Sequence, residues 1–179
     1  MRRIAYWIVF AITLALSVAL FAWSIPGLVA DAGGLAPFDL RSGGYSLDEA
    51  RTLVSAYSPD GIAFYLGVQH VLDLFYPAFL AASIYFAIAY LLPARLGGWR
   101  YLIAAIAIPG AIFDYLENAA VRVLLTTPPA DITAEQVATA SQWTLIKGGF
   151  ITISVLLLLL LLLWRLYGRV FKKPLAPQY

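Results

Sequence analysis

The chain has no cysteine and a single histidine, and only 12% of its 179 residues are charged. Without cysteine there can be no disulfide, no thiol nucleophile and no thiolate metal site. One imidazole, His70, makes a weak start for a metal centre, and no metal or other cofactor is expected. Basic residues never gather into a patch with interleaved aromatics: the tail RVFKKP is a short membrane-flanking anchor, so no nucleic-acid partner is expected. With 62% hydrophobic residues, the composition lies far from that of a soluble domain.

Four apolar stretches are long enough to cross a hydrocarbon core, which takes about 20 residues. They cover 4–24, 63–92, 101–125 and 144–167. Backbone inside lipid must satisfy its own hydrogen bonds, so runs of this length read as helices. The expectation is an all-α membrane protein, a four-transmembrane-helix bundle forming a single domain over 1–179. The outer loops are 25–62 and 126–143, the cytoplasmic loop is 93–100 and the cytoplasmic tail is 168–179. The first stretch is too long for the h-region of a signal peptide and reads as an uncleaved anchor.

The distribution of charge sets the expected topology. Arg2, Arg3, Arg95, Arg100, Arg165, Arg169, Lys172 and Lys173 occupy the N-terminus, the middle loop and the tail, where no acid is found. Acids dominate the first and third loops. The positive-inside rule therefore puts both termini in the cytoplasm, as for a multi-pass protein of the bacterial inner membrane. Tryptophans at 7, 23, 99, 143 and 164 mark the expected boundaries. Trp143 and Trp164 are about 31 Å apart along a helix rising about 1.5 Å per residue, one bilayer core.

Two capping boxes punctuate the loops. Ser46-Leu47-Asp48-Glu49 opens a short amphipathic helix in the first outer loop, and Thr133-Ala134-Glu135-Gln136 opens the last helix before its membrane stretch. The amphipathic helix should end at Pro59-Asp60-Gly61 and rest on lipid headgroups, the alternative being a lid over the bundle. Gly148-Gly149 should let the last helix approach a neighbour closely. The eight leucines 156–163 have no polar face and should meet lipid.

The third span carries the chemistry. In YLIAAIAIPGAIFDYLENAAVRVLLT, Asp114, Glu117, Asn118 and Arg122 fall in one half, after a Pro109-Gly110 kink. A charged side chain at mid-membrane costs about 2.5–3.5 kcal/mol on insertion scales, so these groups must face helices, water or a ligand. The second span adds Gln69, His70, Asp73 and Tyr76. Pro77 leaves the carbonyl of Asp73 without its helical donor. The fourth span adds Lys147. At about 1.5 Å per residue, His70, Asp73, Asp114, Glu117, Arg122 and Lys147 fall in the same outer half of the membrane, and the inner half has no charge.

Desolvation and neighbouring carboxylates favour a neutral acid, while a carboxylate paired with a cation stays ionised. Such a split is a recipe for acid–base work. Asp114, Glu117, Asp73 and His70 are the candidate acid–base groups. Asn118, Lys147, Arg122, Gln69 and Tyr76 are the candidates to hold a ligand. The expected ligand is a membrane lipid or other lipid-like amphiphile, bound at these groups, with turnover by acid–base chemistry as the further option. The alternative is a non-enzymatic structural or partner-binding subunit whose buried charges are packing glue. Tight mutual pairing with no cavity would favour the alternative. A metal site or a proton path is a weaker fit, although a homo-oligomer stays open.

The segments GYSLDEARTLVSAYSPDG, Asp73-x-x-x-Pro77, Asp114-x-x-Glu117-Asn118 and Thr144-x-x-Lys147 together resemble a set of small four-span bacterial integral membrane proteins. That resemblance implies the topology and points to the same residues, with no activity attached.

Overall fold

The computed structural model describes residues 2–171, with side chains from 4 to 168. The expected tail beyond 171, with Lys172 and Lys173, lies outside the described residues, as do the side chains of Arg2, Arg3 and Arg169. Five helices make up the fold: α1 (Ile4–Asp31), α2 (Leu47–Ala56), α3 (Pro59–Leu91), α4 (Trp99–Thr126) and α5 (Ala134–Gly168). All but α2 are long and apolar enough to cross a membrane. No strand occurs among the described residues. This is an all-α, four-helix membrane bundle.

Two hydrophobic clusters hold it. At the end carrying α2, Leu28, Phe38, Leu53, Leu124 and Ile132 pack with Tyr65, Val121 and Ala140. At the opposite end, Ile84, Ile88, Ala104 and Ala107 pack with Leu157, Leu158 and Leu161. Because consecutive spans are antiparallel, both clusters draw on α3, α4 and α5, and the polar residues fall between them. The leucine run is split accordingly: 157, 158 and 161 pack inward, while Leu160 and Leu163 stay exposed.

Several boundaries move from the sequence expectation. α1 continues through Pro26 to Asp31, past the expected end at 24. Pro26 has no N–H to give the carbonyl one turn earlier, and the chain responds with a π-helical turn at Leu20–Ser24 rather than a break. Gly33 and Gly34, at φ 64° and 97°, make the actual turn, a conformation open mainly to glycine. Pro59 starts a helix instead of closing a loop. Ser58 caps it by accepting from Gly61 N at 3.0 Å, and Pro59 sits in the first turn, where its missing donor is harmless.

The α2 helix is a lid, which overturns the headgroup expectation. Its capping box forms as read: Glu49 N donates to Ser46 Oγ and Ser46 N donates to Glu49 Oε2. Its apolar face (Ala50, Leu53, Val54) is buried in the cluster with Val121, Leu124 and Ile132. Arg51 donates to the carbonyls of Ala130 and Ile132, fastening the lid to the third loop. The second capping box also forms, between Thr133 and Gln136.

Candidate functional site

Proline chemistry and helix phase build the polar layer. In α3 a π-helical turn at Tyr65–Gln69 precedes His70, facing the π turn of α1. The two turns meet through side chains: Ser24 Oγ donates to Gln69 Oε1 at 2.6 Å. Gln69 Nε2 donates onward to Asp73 Oδ2 at 2.9 Å. Ser24 and Gln69 are fully enclosed, at 0% and 1% exposure, so each needs the other. The carbonyl of Asp73, freed by Pro77, accepts from Asn118 Nδ2 of α4 at 3.5 Å.

On α4 the buried arc contains Gly110, Asp114, Glu117, Asn118 and Val121. Asn118 Nδ2 also donates to Asp114 Oδ1 at 3.2 Å. Lys147 of α5 reaches both acids, lying 3.8 Å from Asp114 Oδ2 and forming a close ion pair with Glu117. Thr144, one turn before Lys147, donates to Glu117 Oε1. The Thr144-x-x-Lys147 spacing thus grips one carboxylate from two successive turns of a helix.

The roof brings a further acid that the sequence reading missed. Asp39, in the loop before α2, accepts from Tyr65 OH at 2.6 Å. Its charge lies within electrostatic reach of Asp73, Asp114, Glu117 and Lys147. Tyr45 comes from the same loop. Its backbone N donates to Ser141 Oγ at 3.0 Å and its ring packs on Phe38 with centroids 4.8 Å apart. Its hydroxyl is buried near Thr144 and Glu117, and burial pushes its pKa well up. Neither residue carries a periodic signal, since Asp39 sits in a single 3₁₀ turn (Phe38–Leu40) and Tyr45 in irregular chain. Thr144 had one, the motif it shares with Lys147.

Three expected members stand apart. Arg122 is exposed, because it lies roughly 100° around the helix from the centre of the buried arc, at about 100° per residue. His70 is half-buried, one position past the π turn that rotates Gln69 and Asp73 inward. It makes no side-chain hydrogen bond or ion pair among the described residues. Tyr76 is half-buried and packs edge-on against Phe21 at 6.2 Å.

The site therefore joins Gln69, Asp73, Asp114, Glu117, Asn118 and Lys147 with Asp39, Tyr65 and Thr144. Four carboxyl groups surround one lysine. No group of three or more His, Asp or Glu among the described residues is arranged to share one ion. A cavity of about 10 Å³ lies against Asp114, between Pro77, Gly110 and Ser154, enough for about one water.

The chain matches no family model, curated protein or solved structure, so its chemistry is argued from this geometry alone.

Proposed function

We propose that this membrane protein binds the polar head of a lipid-like amphiphile in its buried carboxylate layer, beneath a lid that opens to admit it. The observation carrying this reading is the imbalance of charge. Packing glue balances its ions, because an uncompensated buried charge is expensive. Here the buried acids Asp73, Asp114 and Glu117 face Lys147 alone, with half-buried Asp39 above them, and Arg122 and His70, which could have neutralised them, stay outside. Three carboxylates buried around one lysine cannot all stay ionised at little cost, so the layer can share a proton with a ligand's hydroxyl or amine. If the ligand is turned over, Asp114 and Glu117 exchange those protons with it, Lys147 and Thr144 orient Glu117, and Asn118 orients Asp114.

A specific observation favours a second reading, a purely structural subunit. Lys147 already pairs with both Glu117 and Asp114, and the cavity beside Asp114 has room for about one water. One experiment separates the two. The wild type, Asp39→Asn and Asp114→Asn are purified in mild detergent, their stability is measured, and bound small molecules are identified by mass spectrometry. Binding predicts folded variants that lose an amphiphile retained by the wild type. If the wild type carries none and each substitution instead destabilises the fold, the layer is structural.

A further inference from the structure

A second recess lies beside the lid. Val54 and Tyr57 from the end of α2, Ile62 from the start of α3, and Leu125, Thr126 and Pro129 from the end of α4 and the third loop line a groove of about 290 Å³. No charged residue lines it. Its two threonine hydroxyls are directed elsewhere: Thr126 donates to Arg122 O at 2.9 Å and Thr127 donates to Val123 O at 2.8 Å, both within their own helix. The groove thus offers hydrocarbon and ring surface with almost no hydrogen bonding.

Its position selects the occupant. It opens where α3 begins and α4 ends, at one end of two helices long and apolar enough to cross a membrane, within reach of the lipid of that leaflet. Its inner wall continues to the polar layer. Tyr57, only 7% exposed, meets Tyr65 edge to face with ring centroids 5.7 Å apart, and Tyr65 donates to Asp39. The Tyr57 hydroxyl is itself buried without a hydrogen-bond partner, an orphan of the kind that calls for an explanation.

We infer that this groove is a binding site for a lipid hydrocarbon chain, drawn up from the adjoining leaflet against the lid. In its fuller sense, that the chain belongs to the amphiphile whose head the carboxylates take, the inference rests on the function proposed above. Tyr57 then stands between tail and head, with its ring toward the chain and its hydroxyl available to the head.

The test exploits depth. In a plain bilayer the end of an acyl chain lies near the midplane, about 15 Å below the interface. The full-length protein is reconstituted in phosphatidylcholine vesicles carrying a photoreactive diazirine at the chain terminus, irradiated, and mapped by peptide mass spectrometry. The expected result is several-fold enrichment of label on the Val54–Ile62 and Leu125–Pro129 segments over Ile112, which is exposed on the middle of α4. Thr126→Trp, at an exposed position, fills the groove and removes that enrichment; Ile62→Trp serves as the second variant. Label confined to mid-span positions, or groove label unchanged in both folded variants, overturns the inference. Groove label that persists in a wild type holding no co-purified amphiphile supports the chain site and overturns the head-group reading instead.

Discussion

Lys147 is one turn past Thr144, and the two grip Glu117 from successive levels of α5. Replacing the lysine leaves Asp114 and Glu117 without their cation in a dry layer. Losing one partner of a buried pair costs about 3–5 kcal/mol, and Lys147→Met should fall in that range by denaturation in detergent. The double variant Lys147→Met/Glu117→Gln should recover part of the loss, because the charge left behind has gone. A double variant no better than the single one would show that Lys147 acts through packing alone. Glu49 offers a milder test at the lid. Hydrogen bonds from the backbone and hydroxyl of Ser46 hold its carboxyl below the ordinary range. A depressed carboxyl adds stability above its unfolded pKa, about 4.3, and that stability is lost as pH falls through the folded value. Amide exchange protection in α2, corrected for intrinsic rates, should therefore decline in acid. Glu49→Gln, which can accept the same bonds, should show no such decline.

At the scale of elements, the close approach between α4 and α5 comes from a glycine outside the expected pair. A Cβ on Gly110 would lie 3.2 Å from Ile151 Cγ1, whereas one on Gly148 or Gly149 would meet nothing within 4 Å. Gly110→Val should cost about 1–3 kcal/mol through overpacking. Gly148→Ala and Gly149→Ala should be neutral or stabilising by up to about 1 kcal/mol, since alanine is the better helix former. Thermal melts of the three variants check both expectations. The contrast shows what a sequence can reveal. The four apolar helices and the two capping boxes rest on local physics, and the structure has them; ahead of Pro109 the helix tightens into a 3₁₀ turn at Ala105–Ala107. The lid did not follow, because an amphipathic face looks the same whether headgroups or Leu124 and Ile132 cover it. Which glycine meets a neighbour depends on helix rotation, which packing sets and a local pattern does not. Asp114, Glu117, Asn118 and Lys147 were legible as charges too costly to leave in lipid. Asp39 was not, since an acid in a loop costs nothing until the loop folds inward.

The whole molecule is asymmetric along its axis. One end carries the lid, the carboxylate layer and the groove, and the other carries the short loop with Arg95 and Arg100. Basic loops stay on the cytoplasmic side during insertion, which would turn the lid outward and make the outer leaflet the source of any chain in the groove. Because the chain has no cysteine, a single introduced thiol reports its own side of the membrane without background. Ser42 in the lid loop and Ala94 in the short loop are both exposed. In intact spheroplasts a membrane-impermeant maleimide should label Ser42→Cys, and should reach Ala94→Cys only after permeabilisation. The reversed pattern would put the lid in the cytoplasm. The carboxylate layer and groove would then draw on the inner leaflet, and anionic lipids, which repel four carboxyl groups but suit Lys147, would have to be weighed by charge before any other ligand.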